Sequence, residues 1–155
     1  MTDWQIEVQE SIKDFLTVAA LAGDILTLED FHIEFLPAPH KQPSNLPQGK
    51  MAVYAFWFNG DWLKIGKAGT KTKARFTSQH YNAGSAPSTL AASLVADQRM
   101  QNVTGFDKNS PGNWLKLNTC RANILISDKH RKEIISLLEV FLHARLRPRY
   151  EGKSI

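Results

Sequence analysis

The chain has 155 residues and a mass of 17.5 kDa; 43% of the residues are hydrophobic and 22% are charged. This size and composition fit one compact domain with its own core and exclude a disordered chain. The single cysteine, Cys120, excludes an internal disulfide and a zinc site built on cysteine pairs. The longest apolar run, 15–23, is too short to span a bilayer. We therefore expect an intracellular, cytoplasmic protein with no membrane contact.

The charge is distributed unevenly along the chain. Eight acids and one base precede Pro37, a net charge of −7, whereas 7 acids and 18 bases follow Leu36, a net charge of +11. A strongly basic body attracts polyanions by neutralising phosphates and releasing counterions. A basic surface that only keeps the protein soluble is the alternative. The acidic front is a candidate competitor that would lie across the basic cleft and restrain it.

The first half of the chain predicts one helix and a long irregular arm. Apolar residues at helical spacing predict a helix over 4–22, which Gly23 ends, and an extended piece follows over 28–36. The next segment, 37–49, contains four prolines and no periodicity, which favours a linker or a wrapping arm. We predict three parts: an acidic helical extension (1–36), a Pro-rich arm (37–49) and a main domain (50–155). The N-terminal helix is a candidate surface for a homodimer, and folding back onto its own core is the alternative.

The main domain predicts strands and helices in alternation. Two strands, 51–58 and 61–67, flank Asn59-Gly60, a strong hairpin signal. A helix over 71–81 follows, then an irregular insert over 82–118 with one short element at 89–96. A third strand over 120–126 leads into a long helix that Ser127 or Asp128 caps and Pro148 ends. The expected fold is α+β, a small three-stranded, mainly antiparallel sheet flanked by helices.

Polar residues mark these elements in a fixed order. Tyr54 lies on the first strand, Lys64 on the second, Arg75 on the next helix and Glu139 on the last helix. Together with the triplets Val53-Tyr54-Ala55 and Lys64-Ile65-Gly66, this order resembles the GIY-YIG nuclease superfamily from Lys50 onward. The resemblance is to restriction and phage members that carry lysine in place of the second tyrosine. It implies a tyrosine-bearing hairpin, an arginine helix and a distant glutamate that binds a metal.

The resemblance implies a DNA endonuclease that depends on Mg²⁺ or Mn²⁺. Glu139 would hold the metal, and Arg75 would grip the scissile phosphate through its forked donors. Tyr54 would orient or deprotonate the attacking water, provided that nearby positive charge lowers its pKa from about 10. Lys64 would supply that charge and a donor to the same water.

Other residues near this set have more than one interpretation. His80 is a phosphate donor, a proton carrier or a structural histidine, and Tyr81 is the competing candidate for its place. His143 lies four residues after Glu139, a spacing that supports metal ligation but is more often helix surface. Where the family has an asparagine after the last helix, this chain offers Tyr150 or Glu151.

Basic residues outside this set are predicted to contact nucleic acid, namely Lys67, Lys71, Lys73, Arg99 and Lys108. Amide side chains in the insert are of the types that read base edges. The alternative function is a GIY-YIG-like module that binds nucleic acid without cutting it. A third interpretation is an enzyme that acts on RNA or on a small phosphodiester.

The hairpin register decides whether the set can act together. A two-residue Asn59-Gly60 turn would pair Tyr54 with Ile65 and place Tyr54 and Lys64 on opposite faces. A three-residue loop over 58–60 would pair the two directly. A shared site needs one face, so we predict the three-residue loop.

Overall fold

The sheet has four strands, one more than the sequence predicts. The computed structural model describes residues 1–150, so the prediction for Glu151 lies outside the described part. The strands are β1 (Phe31–Leu36), β2 (Lys50–Phe58), β3 (Asp61–Ala68) and β4 (Cys120–Ser127). They pair antiparallel in the order β1-β4-β2-β3. The α+β class with an antiparallel sheet is confirmed, and the fourth strand arises because the extended piece before the Pro-rich arm pairs with β4.

Within residues 1–150, five α-helices surround the sheet: α1 (Asp3–Leu21), α2 (Lys73–Thr77), α3 (Leu90–Ala96), α4 (Pro111–Asn118) and α5 (Glu133–Leu146). None of the helices within residues 1–150 is long and apolar enough to cross a membrane. The helix predicted over 71–81 is shorter than expected, because α2 ends at Thr77 and a 3-10 turn over Gln79–Tyr81 follows it.

Helices α1 and α5 cover one face of the sheet. Trp4 and Phe15 of α1 and Leu138 of α5 join Val53 and Ile124 in one buried cluster. The apolar stripe of α1 therefore packs on its own chain, the second of the two alternatives for this helix. A homodimer through α1 stays a prediction.

The short helices cover the other face. Here Tyr54 and Phe56 of β2 pack with Phe76, Leu94 and Trp114. These contacts order much of the insert over 82–118, for which the sequence predicts only one short element, at 89–96. It forms α3, a 3-10 turn over Gln98–Asn102, and α4.

Helix α4 begins with a Pro-Gly pair, which in the sequence reads as a helix breaker. Pro111 occupies the first turn of α4, where a missing N–H costs nothing. Gly112 lies against the backbone carbonyl of Tyr81, where a Cβ would collide with it. The pair is therefore explained by tertiary packing, which sequence periodicity does not show.

The hairpin register differs from the prediction, yet the expected shared face is present. Asn59 and Gly60 both have positive φ and form a two-residue turn, so the three-residue loop is wrong. The ladder then shifts: Trp57 pairs with Trp62, but Phe56 pairs with Lys64. The extra residue, Leu63, forms a β-bulge that moves Lys64 onto the face carrying Tyr54.

Candidate active site

A cleft of about 730 Å³ opens along β3 and holds all the residues predicted to be catalytic. It is called the Tyr54 cleft below. Because β3 is an edge strand, α5 reaches the cleft from one face of the sheet and residues 75–89 reach it from the other. The lining includes Tyr54, Lys64, Arg75, His80 and Glu139. Five side chains from five elements of the fold therefore share one solvent-accessible space.

Tyr54 and His80 form a hydrogen bond with a fixed direction. The backbone N–H of Leu90 donates to Nδ1 of His80 over 3.0 Å, so that nitrogen carries no proton. The neutral ring therefore holds its proton on Nε2, which lies 2.6 Å from the Tyr54 hydroxyl oxygen and donates to it. The Tyr54 hydrogen is then free to point to a group in the cleft. His80 thus orients Tyr54, and with both ring nitrogens engaged it is not the phosphate donor of the first interpretation.

Burial sets the protonation states of the cleft. Tyr54 is 1% exposed, and burial raises its pKa far above the usual value of 10.0, against the opposing charges of Arg121 and Arg75. The predicted lowering of the tyrosine pKa is therefore not found, because loss of solvation outweighs the nearby cations. Burial also lowers the pKa of Lys64; Glu139 opposes this shift and Arg75 adds to it. Tyr54 therefore holds its proton more tightly than a tyrosine in water does, and Lys64 holds its proton less tightly than a lysine in water does.

The ring of Tyr54 lies directly on Gly66, the glycine of the second triplet. A Cβ at Gly66 would come within 2.6 Å of Tyr54 Cζ and closer still to the hydroxyl oxygen. Since Tyr54 pairs with Gly66 across the two strands, no other residue leaves room for the ring. The glycine therefore has a steric role in the cleft.

Glu139 is the carboxylate that lines this cleft. Its Oε1 lies 3.8 Å from Nζ of Lys67, which donates a hydrogen bond to Ser136 Oγ over 3.0 Å. No group of three or more metal-binding side chains (His, Cys, Asp or Glu) occurs within residues 1–150. Such a site does not fit zinc, which needs three or four protein ligands. It fits Mg²⁺, which retains waters and takes one or two carboxylates together with phosphate oxygens.

His143 does not extend that carboxylate into a ligand pair. Its Nε2 lies 3.1 Å from the backbone carbonyl of Ile65 and donates to it, because a carbonyl only accepts. The ring therefore ties α5 to β3 beside Gly66. Of the two interpretations of His143, the structure supports a contact that holds the helix in place.

The predicted nucleic-acid contacts are scattered. Lys67 lines the Tyr54 cleft, whereas Lys71 and Lys73 are exposed near α2 without lining it. Arg99 forms two hydrogen bonds to Asp97, at 3.0 and 2.9 Å.

Two more predicted residues lie away from the Tyr54 cleft. Lys108 lines a separate cleft of about 420 Å³. Tyr150 donates to Asp97 Oδ2 over 2.6 Å and is absent from the lining of the Tyr54 cleft. Tyr150 therefore lies outside the cleft that holds Glu139.

The acidic front does not cover the cleft. Asp24 binds Arg131, with Oδ2 2.9 Å from Nε, and Asp14 forms an ion pair with Arg145. None of residues 1–36 lines the Tyr54 cleft. The prediction that the acidic front lies across the basic cleft is therefore wrong. Asp14 and Asp24 neutralise bases next to α1 and leave the cations of the cleft uncovered.

Sequence reasoning missed a buried polar group behind the cleft. Arg121 of β4 is 0% exposed and contacts Tyr81 and Asn123. The signal was present, because Arg121 and Asn123 alternate along an otherwise apolar strand, which places both on one face. That face carries Tyr54 and Phe56, their partners in the β2–β4 register.

Comparisons of this chain with protein-family models, with curated proteins and with solved structures found no match.

His80 gives the site a testable pH dependence. Burial, reinforced by the charges of Lys64, Arg121 and Arg75, lowers its pKa from 6.5 to about 3. The unfolded chain therefore binds more protons than the folded one between those values, and we expect stability to fall as the pH drops through that range. Urea denaturation at neutral pH and at about pH 5 measures the change.

The control for this experiment is His32, an exposed histidine of β1. The His80→Gln variant should lose less stability on acidification than wild type, whereas His32→Gln should behave as wild type does. Equal acid sensitivity of wild type and His80→Gln would contradict a buried neutral His80.

Proposed function

We propose that this protein is a divalent-metal-dependent DNA endonuclease that hydrolyses phosphodiester bonds in the Tyr54 cleft. The observation that supports this most directly is the presence of Tyr54, Lys64, Arg75 and Glu139 in one cleft. Tyr54, Lys64 and Arg75 lie within 22 residues of the sequence, and Glu139, 64 residues further along the chain, joins them at the same strand edge. The GIY-YIG pattern assigns a role to each of them.

The charge of the cleft favours a phosphate substrate. Lys67 and Arg75 line it against the carboxylate of Glu139, which leaves excess positive charge. Excess positive charge in a cleft attracts anions. Lys64 is 8% exposed and forms no ion pair within residues 1–150, which leaves its amine available as a proton acceptor.

The chain's own groups divide the hydrolytic steps between them. Arg75 is exposed at the rim of the cleft. Its guanidinium can donate two parallel hydrogen bonds to the oxygens of a scissile phosphate. Tyr54 keeps its proton and donates to the attacking water, which it orients. Lys64, whose pKa is lowered, takes the proton from that water and becomes an ammonium. Glu139 would hold Mg²⁺ or Mn²⁺, which when bound neutralises negative charge on the departing oxygen.

A second function has one observation in its favour. A cleft with a single carboxylate and a tyrosine that holds its proton tightly would also suit a GIY-YIG-like module that binds DNA and does not cut it. Metal-dependent cleavage separates the two functions, because only the nuclease requires Glu139 for a chemical step.

The deciding experiment is conversion of supercoiled plasmid to nicked and linear DNA, with Mg²⁺ or with EDTA, for wild type and Glu139→Gln. We expect cleavage by wild type with Mg²⁺ only and a loss of at least about 100-fold in Glu139→Gln. Glu133→Gln is the matched control, because Glu133 is exposed at the start of the same helix and does not line the cleft.

Two results would overturn parts of the proposal. Full cleavage by Glu139→Gln would show that Glu139 does not hold the metal. No cleavage of plasmid, single-stranded DNA or RNA by wild type, together with salt-sensitive DNA binding, would establish the binding module instead.

A further inference from the structure

Arg121 is a buried cation without an anionic partner. Its side chain is 0% exposed, and no ion pair joins it to an acid within residues 1–150. Four aromatic rings surround its guanidinium carbon at 4.8 to 5.9 Å, those of Tyr54, Phe56, Phe76 and Tyr81. A charge in this setting is expensive to bury, and apolar residues of similar size usually stabilise a fold at least as well. Stability alone therefore does not explain it.

The hydrogen bonds of Arg121 explain it better. One guanidinium nitrogen donates to the backbone carbonyl of Phe76 over 2.6 Å, and another donates to the Tyr81 hydroxyl over 3.1 Å. Phe76 directly follows Arg75, and Tyr81 directly follows His80. The two bonds thus hold the short segment 75–81 next to each of its cleft residues. The third guanidinium nitrogen, Nε, donates to Asn123 Oδ1 over 2.8 Å within β4.

The Tyr81 end of this link is itself fixed. His40 of the Pro-rich arm donates from Nδ1 to the carbonyl of Thr119 over 2.8 Å, so its Nε2 accepts the Tyr81 hydroxyl proton over 2.7 Å. The Tyr81 oxygen then accepts from Arg121. In this series of hydrogen bonds the Tyr81 hydroxyl donates to His40 and accepts from Arg121, so the hydroxyl has a single orientation.

We propose that Arg121 is a positioning residue that holds Arg75 and His80 in register with Tyr54 and Lys64, by tying the segment 75–81 to β4. Segment 75–81 contains only the last three residues of the five-residue helix α2 and a 3-10 turn, which provide little internal stability. A planar fork with five N–H donors can serve both attachment points and the strand at once, and lysine cannot. This inference rests on the proposed nuclease function for its catalytic consequence but not for its structural one.

The test compares Arg121→Lys, which keeps the charge and loses the fork, with Arg121→Met, which loses both. In each, we expect kcat for plasmid nicking to fall by about 100-fold, since a displacement of about 1 Å has that effect. DNA affinity in EDTA should change far less. Rates are compared below the melting temperature of every variant, so that loss of stability alone does not move them.

A second readout does not depend on activity. In wild type the His80 Nε2 proton is buried against Tyr54, and its exchange with solvent is followed by NMR. We expect exchange at least about tenfold faster in both Arg121 variants and in Tyr81→Phe, which keeps the ring and removes one attachment. Arg131→Lys is the control, because Arg131 is a partly exposed arginine that binds Asp24 away from the cleft.

The outcomes separate the two proposals. Unchanged nicking and unchanged His80 exchange in folded Arg121→Lys would overturn the positioning role. If Arg121→Lys does not fold, Tyr81→Phe with unchanged His80 exchange overturns it equally. If wild type cleaves no nucleic acid, the nuclease proposal fails, while faster His80 exchange in the variants still supports the link between Arg121 and segment 75–81.

Discussion

Replacing Tyr54 by phenylalanine is expected to slow plasmid nicking by about 100-fold or more, the usual effect of removing a group that transfers or orients a proton. The change deletes the one hydroxyl that His80 orients and whose own hydrogen is free for the cleft. It also leaves the buried Nε2–H of His80 without an acceptor, which we expect to cost about 1–3 kcal/mol of stability. Nicking rates and urea denaturation measure the two effects.

Tyr150→Phe is the matched control for this prediction. Its hydroxyl also donates a hydrogen bond, to Asp97, but it does not line the cleft. That variant should nick plasmid at the wild-type rate. Wild-type activity in Tyr54→Phe would remove Tyr54 from the mechanism and leave it a packing residue that fills the space over Gly66.

The Gly66→Ala variant is expected to show the second large effect. The added methyl group would lie within 2.6 Å of Tyr54 Cζ, and the ring has no room to retreat because it packs against Phe56 and Phe76. Overpacking of this kind destabilises a core by about 1–3 kcal/mol. Displacing the ring also breaks its alignment with His80, so nicking should fall by about 100-fold.

Gly69→Ala is the control, since Gly69 follows the same strand, has no unusual φ and would place its Cβ in open space. It should keep wild-type stability and activity. A Gly66→Ala protein as stable and as active as wild type would show that the tyrosine ring is not held where the structure places it. Thermal denaturation and the nicking assay on the three proteins decide this.

Local patterns in the sequence predicted most of the elements of the fold. The apolar spacing of α1, the Asn59-Gly60 hairpin signal and the alternation along β4 all act over a few residues, and the helix, the hairpin and the strand are each present. Details were wrong: the hairpin loop has two residues and not three, and α5 begins at Glu133 and not after a cap at Ser127 or Asp128. The same local logic failed for α4, because the Pro111-Gly112 start is stabilised by contact with Tyr81, about thirty residues away in sequence. It predicted β1 as an extended piece but did not predict its pairing with β4, which joins segments about ninety residues apart.

The sequence by itself determined which residue types are available for chemistry in a basic body. They are a tyrosine and two lysines on strands (Tyr54, Lys64 and Lys67), an arginine on a helix (Arg75) and a carboxylate on the last helix (Glu139). Only the tertiary structure decided that they meet. A bulge at Leu63 turns Lys64 toward Tyr54, and the edge position of β3 lets α5 bring Glu139 to the same cleft. Burial, which composition does not reveal, then keeps the proton on Tyr54 and loosens the one on Lys64. Protonation depends on the solvent left around a group, and that is fixed only when distant segments pack together.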